Sequence, residues 1–238
     1  ISSIAPYGAD VILHSGIVGE VKLGTFGANS TYGCWFEKPV SDSFLPAEKT
    51  NTSFTSNNKT YYKLINLTEA DTAAKIITAD GSVQRYASLA GAADAVTNGD
   101  TLTLLANYTG DVIELQAYDV TVDLNGHNLT GAGSGSALHI YPHYSTACPE
   151  EREIRITSSQ GSGTITGNPA LEVTLGNSQN TTLIIIDDAV ALVSSAEGEF
   201  PLEMGSGTYL SYSAKNAEYI NGGFRPAEDE SYIYSAYG

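Results

Sequence analysis

Between residues 112 and 222 the chain returns to three kinds of short strand in a fixed order. The first kind is Val112-Ile113-Glu114-Leu115, then Leu138-His139-Ile140, Leu171-Glu172-Val173 and Leu202-Glu203-Met204. The second is Val120-Thr121-Val122-Asp123-Leu124, Ile154-Arg155-Ile156, Leu183-Ile184-Ile185-Ile186 and Tyr209-Leu210-Ser211-Tyr212. The third is Asn128-Leu129-Thr130-Gly131, Gly163-Thr164-Ile165-Thr166-Gly167, Val190-Ala191-Leu192-Val193 and Ala217-Glu218-Tyr219-Ile220-Asn221-Gly222. The recurrence spans roughly 25 to 33 residues, the range of stacked repeat architectures. One unit of three short strands cannot bury its own apolar residues, whereas a stack of units builds a continuous interior.

Most of these strands alternate apolar and polar residues, so one face of each is buried. Val120 to Gly131 breaks at Asn125-Gly126, a pair suited to the left-handed backbone of a sharp bend. Taken alone that segment reads as a hairpin. Because the pattern returns three more times, the bend reads as a corner between successive strands of a circuit. The expected fold is all-β: a parallel β-helix with three strands per circuit. An antiparallel sandwich also shows short strands at regular spacing. The ordered three-phase recurrence, preceded by a helix, favours the stack.

That helix is expected over residues 88–97. Leu89, Ala92, Ala93 and Val96 share one face, Ser88 is placed as an N-cap, and Asn98-Gly99 stops it. Its apolar face suits it to cover the open end of the stack, where strands would otherwise expose unpaired backbone. Thr101-Leu102-Thr103-Leu104-Leu105 begins the strand series. Ahead of the helix, Val11-Ile12-Leu13, Glu20-Val21-Lys22-Leu23 and Tyr61 to Ile65 read as strands, and Pro46 to Thr60 as a loop or long hairpin tip. Asp80-Gly81 marks a turn. The expected division is a β-rich region, 1–80, followed by the capped stack, 81–238.

Several of these segments together carry a family resemblance. Tyr86-Ala87-Ser88-Leu89-Ala90, Ala92-Ala93-Asp94-Ala95-Val96, Gly99-Asp100-Thr101-Leu102-Thr103-Leu104-Leu105 and Val122-Asp123-Leu124-Asn125-Gly126-His127-Asn128-Leu129-Thr130-Gly131 resemble the first coils of right-handed β-helix modules. Such modules belong to large exported, adhesin-like surface proteins of Gram-positive, often gut-dwelling, bacteria. Thr164-Ile165-Thr166-Gly167 and Asn221-Gly222-Gly223-Phe224 resemble later coils. The resemblance covers about residues 80 to 238. It implies an extracellular or cell-surface location within a larger polypeptide. It does not by itself choose among spacer, binding surface and carbohydrate-active enzyme.

The chain holds 27 acidic against 11 basic residues in 238, a net charge of −16. Eleven scattered cations cannot build a phosphate-neutralising patch, so neither nucleic acid nor an anionic membrane surface is an expected partner. No apolar run approaches the roughly 20 residues of a membrane span. The opening Ile-Ser-Ser, without Met, reads as a mature form or an excised fragment. The two cysteines, Cys34 and Cys148, are either one disulfide of an exported protein or two thiols. They make no zinc site.

The candidate functional residues fall in three groups. If the first-kind strands stack in register, Glu114, His139, Glu172 and Glu203 form an outward row with rungs about 4.8 Å apart. Such a row could serve acid/base chemistry or bind a cation, and it is also what a solvated acidic face looks like. On the second face Asp123 and Arg155 are expected as neighbours. Asp187-Asp188 resembles the paired aspartates of β-helix hydrolases, but the accompanying Asn-Thr-Asp, Gly-His-Gly and Arg-Ile-Lys signatures are missing. Cations are sparse after residue 86, which argues against a lyase base cluster. The longest insertion, Tyr141-Pro142-His143-Tyr144 to Glu151, is the expected contact loop, with Tyr141, His143 and Tyr144 as ligand-binding candidates. No metal site is expected. Ca²⁺ is the one cofactor that enzymes of this fold bring into consideration. The sequence thus points to a non-enzymatic surface module for glycan or host protein. A polysaccharide lyase or glycoside hydrolase is the alternative, and a passive stalk a further one.

Overall fold

Alternating sequence becomes strand almost throughout the residues described here. The computed structural model describes residues 11–13, 34–56, 58–117, 119–141, 151–174, 181–196, 201–204, 208–212, 224–226 and 232–235. Among them one short α-helix and two 3-10 turns interrupt the strands, so the class is all-β.

The first sheet has the order β1-β2-β4-β3. Strands β1 (Val11–Leu13) and β2 (Cys34–Phe36) are parallel, and β3 (Lys49–Ser56) and β4 (Lys59–Asn66) form an antiparallel hairpin. The polar stretch expected as a loop or long hairpin tip is the end of this hairpin, with residues 49–56 forming strand β3, paired from Lys49↔Asn66 to Ser56↔Lys59. Its Thr and Ser residues suit a half-exposed strand, and Asn58, at φ 60°, makes the bend. The strand expected at 20–23 and Cys148 lie outside the described residues. Cys34 lies in β2.

Glu48 fastens this hairpin to the next one. Its N–H donates to the Arg85 carbonyl at 2.7 Å, and its carboxylate accepts from the Arg85 backbone N–H at 3.0 Å and from the guanidinium. Strands β5 (Ala74–Ile77) and β6 (Val83–Tyr86) pair around Gly81, at φ 86°. The expected division at residue 80 falls inside this hairpin. Moreover, β5 pairs antiparallel with β7 (Thr101–Leu104) in the same eight-stranded sheet.

Helix α1 (Leu89–Ala95) lies between them. The Ser88 hydroxyl accepts from the Gly91 N–H, as an N-cap does, and the buried Leu89, Ala92 and Ala93 enter the common core. The buried Asp100 carboxylate then holds the link to β7, accepting from the N–H groups of Ala79 and Thr97 and from the Thr97 hydroxyl.

From β7 onward the chain visits three sheets in order. After β7 come β8 (Tyr108–Gly110) and β9 (Ile113–Leu115). Next come β10 (Val120–Asp123), β11 (Asn128–Gly131) and β12 (Leu138–Ile140). Then follow β13 (Glu151–Thr157), β14 (Gly163–Gly167) and β15 (Leu171–Val173), and β16 (Thr181–Ile186), β17 (Val190–Ser194) and β18 (Leu202–Met204). Strands β19 (Thr208–Tyr212), β20 (Phe224–Pro226) and β21 (Tyr232–Ser235) complete the described elements. The second-kind strands form one sheet, β21-β19-β16-β13-β10-β7-β5-β6. The third-kind strands form β17-β14-β11-β8, and the first-kind strands form β20-β18-β15-β12-β9. Every pairing among the described strands β7 to β21 is parallel. The third-kind strand expected at 217–222 lies outside the described residues.

Register turns the alternation into columns. Leu102, Val122, Ile156 and Ile186 stack on successive strands, as do Leu129, Ile165 and Leu192, and all are buried. Val120 pairs with Ile154 and Val122 with Ile156. Consequently Thr121, not Asp123, is the neighbour of Arg155, and the expected Asp123–Arg155 pair does not form. A slip of two residues leaves every side chain on its own face, so apolar parity alone could not exclude it.

Asp123 is instead a corner residue. It accepts from the Asn125 and Ser159 N–H groups and from the Ser159 hydroxyl. Asn125 and Gly126 have φ 51° and 80°, and β10 and β11 lie in different sheets, so the bend is a corner. A Cβ on Gly126 would also meet the Gln160 carbonyl oxygen at 2.9 Å.

Candidate functional site

Each first-kind strand is three residues long with apolar ends. Ile113 and Leu115, Leu138 and Ile140, and Leu171 and Val173 are all buried, which forces the middle residue outward. The register pairs Glu114 with His139, His139 with Glu172, Glu172 with Glu203, and Glu203 with Arg225. The four residues expected as a row are thus successive rungs of one sheet face, and Arg225 takes the following position.

The middle of the row is knit together. His139 Nδ1 lies 4.0 Å from Glu114 Oε1, and Nε2 lies 3.8 Å from Glu172 Oε1. The same Nε2 is 2.7 Å from the Thr174 hydroxyl. The imidazole is only 21% exposed, against 52% for Glu114 and 28% for Glu172. Two residues beyond His139, Tyr141 leans its ring on the imidazole, with centroids 4.7 Å apart and planes tilted by 34°. Its hydroxyl donates to Glu114 Oε2 at 3.2 Å and accepts from Gln116 Nε2 at 2.7 Å. Both polar capacities of that hydroxyl are used, so the ring, rather than the oxygen, is what Tyr141 offers a partner.

Gln116 and Thr174 were not among the sequence candidates. Each stands two residues beyond a glutamate of the row, and strand parity carries them onto the same face. Tyr141 is brought into the cluster as well, whereas His143 and Tyr144 lie outside the described residues. Among those residues, no group of three His, Cys, Asp or Glu side chains could hold a metal ion.

Asp187 and Asp188 stand elsewhere, in the turn between β16 and β17. Asp187 Oδ1 accepts from Arg155 Nη1 at 2.9 Å, and Glu153 Oε1 lies 3.5 Å from Arg155 Nε. Asp187 is therefore committed to a cross-strand ion pair on a different sheet from the Glu–His row.

The row can do specific things. Carboxylates accept strong hydrogen bonds from hydroxyl and amine groups. A tilted Tyr supplies an apolar ring beside them. Glycosidase chemistry places one carboxyl group on each side of a scissile bond. Here Glu114 and Glu172 project side by side from one face, with His139 between them. Compared with known protein families, curated proteins and solved structures, the chain matches none.

Proposed function

We propose that the chain from strand β7 onward, preceded by helix α1, is a right-handed parallel β-helix acting as a non-enzymatic, adhesin-like module, exported or displayed at a cell surface within a larger polypeptide. Its partner is an extracellular glycan or host protein, with glycan the better fit to the groups on offer. The β-helix reading draws on the repeated visit to three parallel sheets in one order and on the inward columns. The right-handed sense follows the strong preference of parallel crossovers.

The observation that carries the binding reading is the braced cluster Glu114, His139, Tyr141 and Glu172 on a rigid sheet face. Groups held in place before a ligand arrives lose little conformational entropy on binding. Tyr141 is fixed by His139 beneath it and by Gln116 and Glu114 at its hydroxyl. The low charged fraction, 16%, also suits a turn-rich extracellular protein. The alternative reading, a polysaccharide lyase or hydrolase, draws on the imidazole between two carboxylates.

A binding and cleavage screen over polysaccharides, glycan arrays and extracellular matrix proteins separates these readings. The module reading expects saturable binding without cleavage, lost on Tyr141→Ala in a protein whose circular dichroism is unchanged. Polysaccharide cleavage that disappears on Glu172→Ala would establish the enzyme instead. Neither binding nor cleavage across the panel would leave a passive stalk.

A further inference from the structure

A recess of about 380 Å³ lies at the start of the strand stack, between the 3-10 turn Asp42–Phe44, helix α1 and strands β8 and β9. That volume falls within the range of ligand sites. Its apolar lining comes from Ala90, Ala93, Val112 and Tyr108. The small alanines of α1 leave the space, because any larger side chain at these two positions would enter it.

The walls are fixed. The Ser88 hydroxyl donates to the Asp42 carbonyl at 2.7 Å, and a Cβ on Gly91 would meet that same oxygen at 2.6 Å, so turn and helix are in close contact. On the other side the Tyr108 hydroxyl donates to the Asp111 carbonyl at 3.0 Å. Val112, 39% exposed, is the most open part of the apolar lining.

Four acidic residues are also among the lining: Asp42, Asp94, Asp111 and Glu114. Among the described residues no basic side chain lines the recess. The Tyr108 hydroxyl responds to this setting: its pKa is raised, first by burial and then by the charges of Asp111 and Asp42. No three of these acidic residues form a group that could hold a metal ion.

We propose that this recess receives a basic side chain, arginine by preference, presented by an extended segment of a partner polypeptide. The aliphatic stem would lie along Ala90, Ala93 and Val112. The guanidinium would meet the Tyr108 ring and pair with the carboxylates of the lining, using the planar donor fork that suits both. Anionic ligands are repelled by the same charges. The proposal stands apart from the reading of the Glu–His row, sharing only Glu114 with it.

The test is a titration of the intact chain with acetyl-Ala-Ala-Arg-Ala-Ala-amide, followed by calorimetry and by amide NMR shifts. Saturable one-to-one binding is expected, with shifts confined to residues 42–44, 90–94 and 108–114. The double change Asp94→Asn with Asp111→Asn should weaken it at least about tenfold, the loss expected for charge-assisted contacts. Ala90→Leu, which fills the recess without altering charge, should weaken it as much. If that variant does not fold, Val112→Trp at an exposed position serves the same purpose. Glu172→Ala, at a residue of the Glu–His row that does not line the recess, should leave the titration unchanged, which keeps this result separable from the fate of the glycan reading. Absence of saturation, or affinity indifferent to filling the recess, would overturn the proposal, the latter marking a diffuse attraction to an acidic surface.

Discussion

Ile156 and Arg155 are adjacent in sequence and opposite in environment, and their truncation should separate accordingly. Ile156 is 0% exposed and stacked between Val122 and Ile186. Ile156→Ala removes three carbons, about 2.4 kcal/mol at roughly 0.8 kcal/mol for each buried group. Strands paired on both sides cannot collapse into the gap, so a cavity contribution of about 1 kcal/mol adds to this, for a total of about 3 to 4 kcal/mol. Arg155→Ala breaks a 2.9 Å pair with Asp187, but the two side chains are 39% and 32% exposed. Solvent screening holds that loss to about 1 kcal/mol or less. Urea unfolding followed by circular dichroism measures both, provided the slopes agree, since stacked repeats can lose two-state behaviour. Register is tested in the same assay. Val122→Ala and Ile156→Ala touch and should couple by about 0.5 kcal/mol or more, while Val122→Ala and Ile184→Ala, two strands apart, should be nearly additive. Equal losses at 155 and 156 would refute the assignment of faces, and additivity at 122 and 156 would refute the stacking.

Other expectations follow from single contacts. Gly163→Ala should destabilise by about 1 to 3 kcal/mol, because the new Cβ would sit 2.7 Å from Leu124 Cβ and 2.8 Å from the His127 carbonyl. Gly135→Ala, with nothing within 4 Å, should be nearly neutral in the same thermal melts. Asp100→Ala strands the N–H groups of Ala79 and Thr97 and should lose about 3 kcal/mol of stability, read by chemical denaturation. Asp80 is held down to about 2 by hydrogen bonds, first from the Thr78 hydroxyl and then from the Ser82 N–H, against an ordinary 3.8. A depressed folded-state pKa stabilises above the unfolded value and loses that effect as pH falls. The β5–β6 turn should therefore loosen between pH 3.8 and about 2, and Thr78→Val should move the NMR-titrated midpoint of Asp80 upward.

Parity was legible in the sequence and register was not. Alternation placed Glu114, His139, Glu172 and Glu203 outward, and each three-residue strand admits only one alignment with its apolar ends inside. The longer strand β13 admits several, so alternation allowed Asp123 as the expected neighbour of Arg155, where the register with β10 places Thr121. Strand β8 shows a signal that length obscured. Its Tyr108-Thr109-Gly110 pairs with Leu129-Thr130-Gly131, and Asn107 before it accepts from the Asn128 N–H, just as Asn128 accepts from Thr164. The Asn-x-Thr-Gly pattern is thus present one strand earlier in that sheet. The recess beside α1 could not have been read, because it joins residues 42, 94 and 111 through tertiary packing alone.

The most direct test of the binding face is hydrogen–deuterium exchange of the chain with and without the partner identified in the screen. If Glu114, His139 and Glu172 share one face, protection should appear together in peptides covering 113–116, 138–141 and 171–174, and should spare 121–123 and 164–166. Protection confined to one of these three segments, or centred on the other two sheets, would contradict the account.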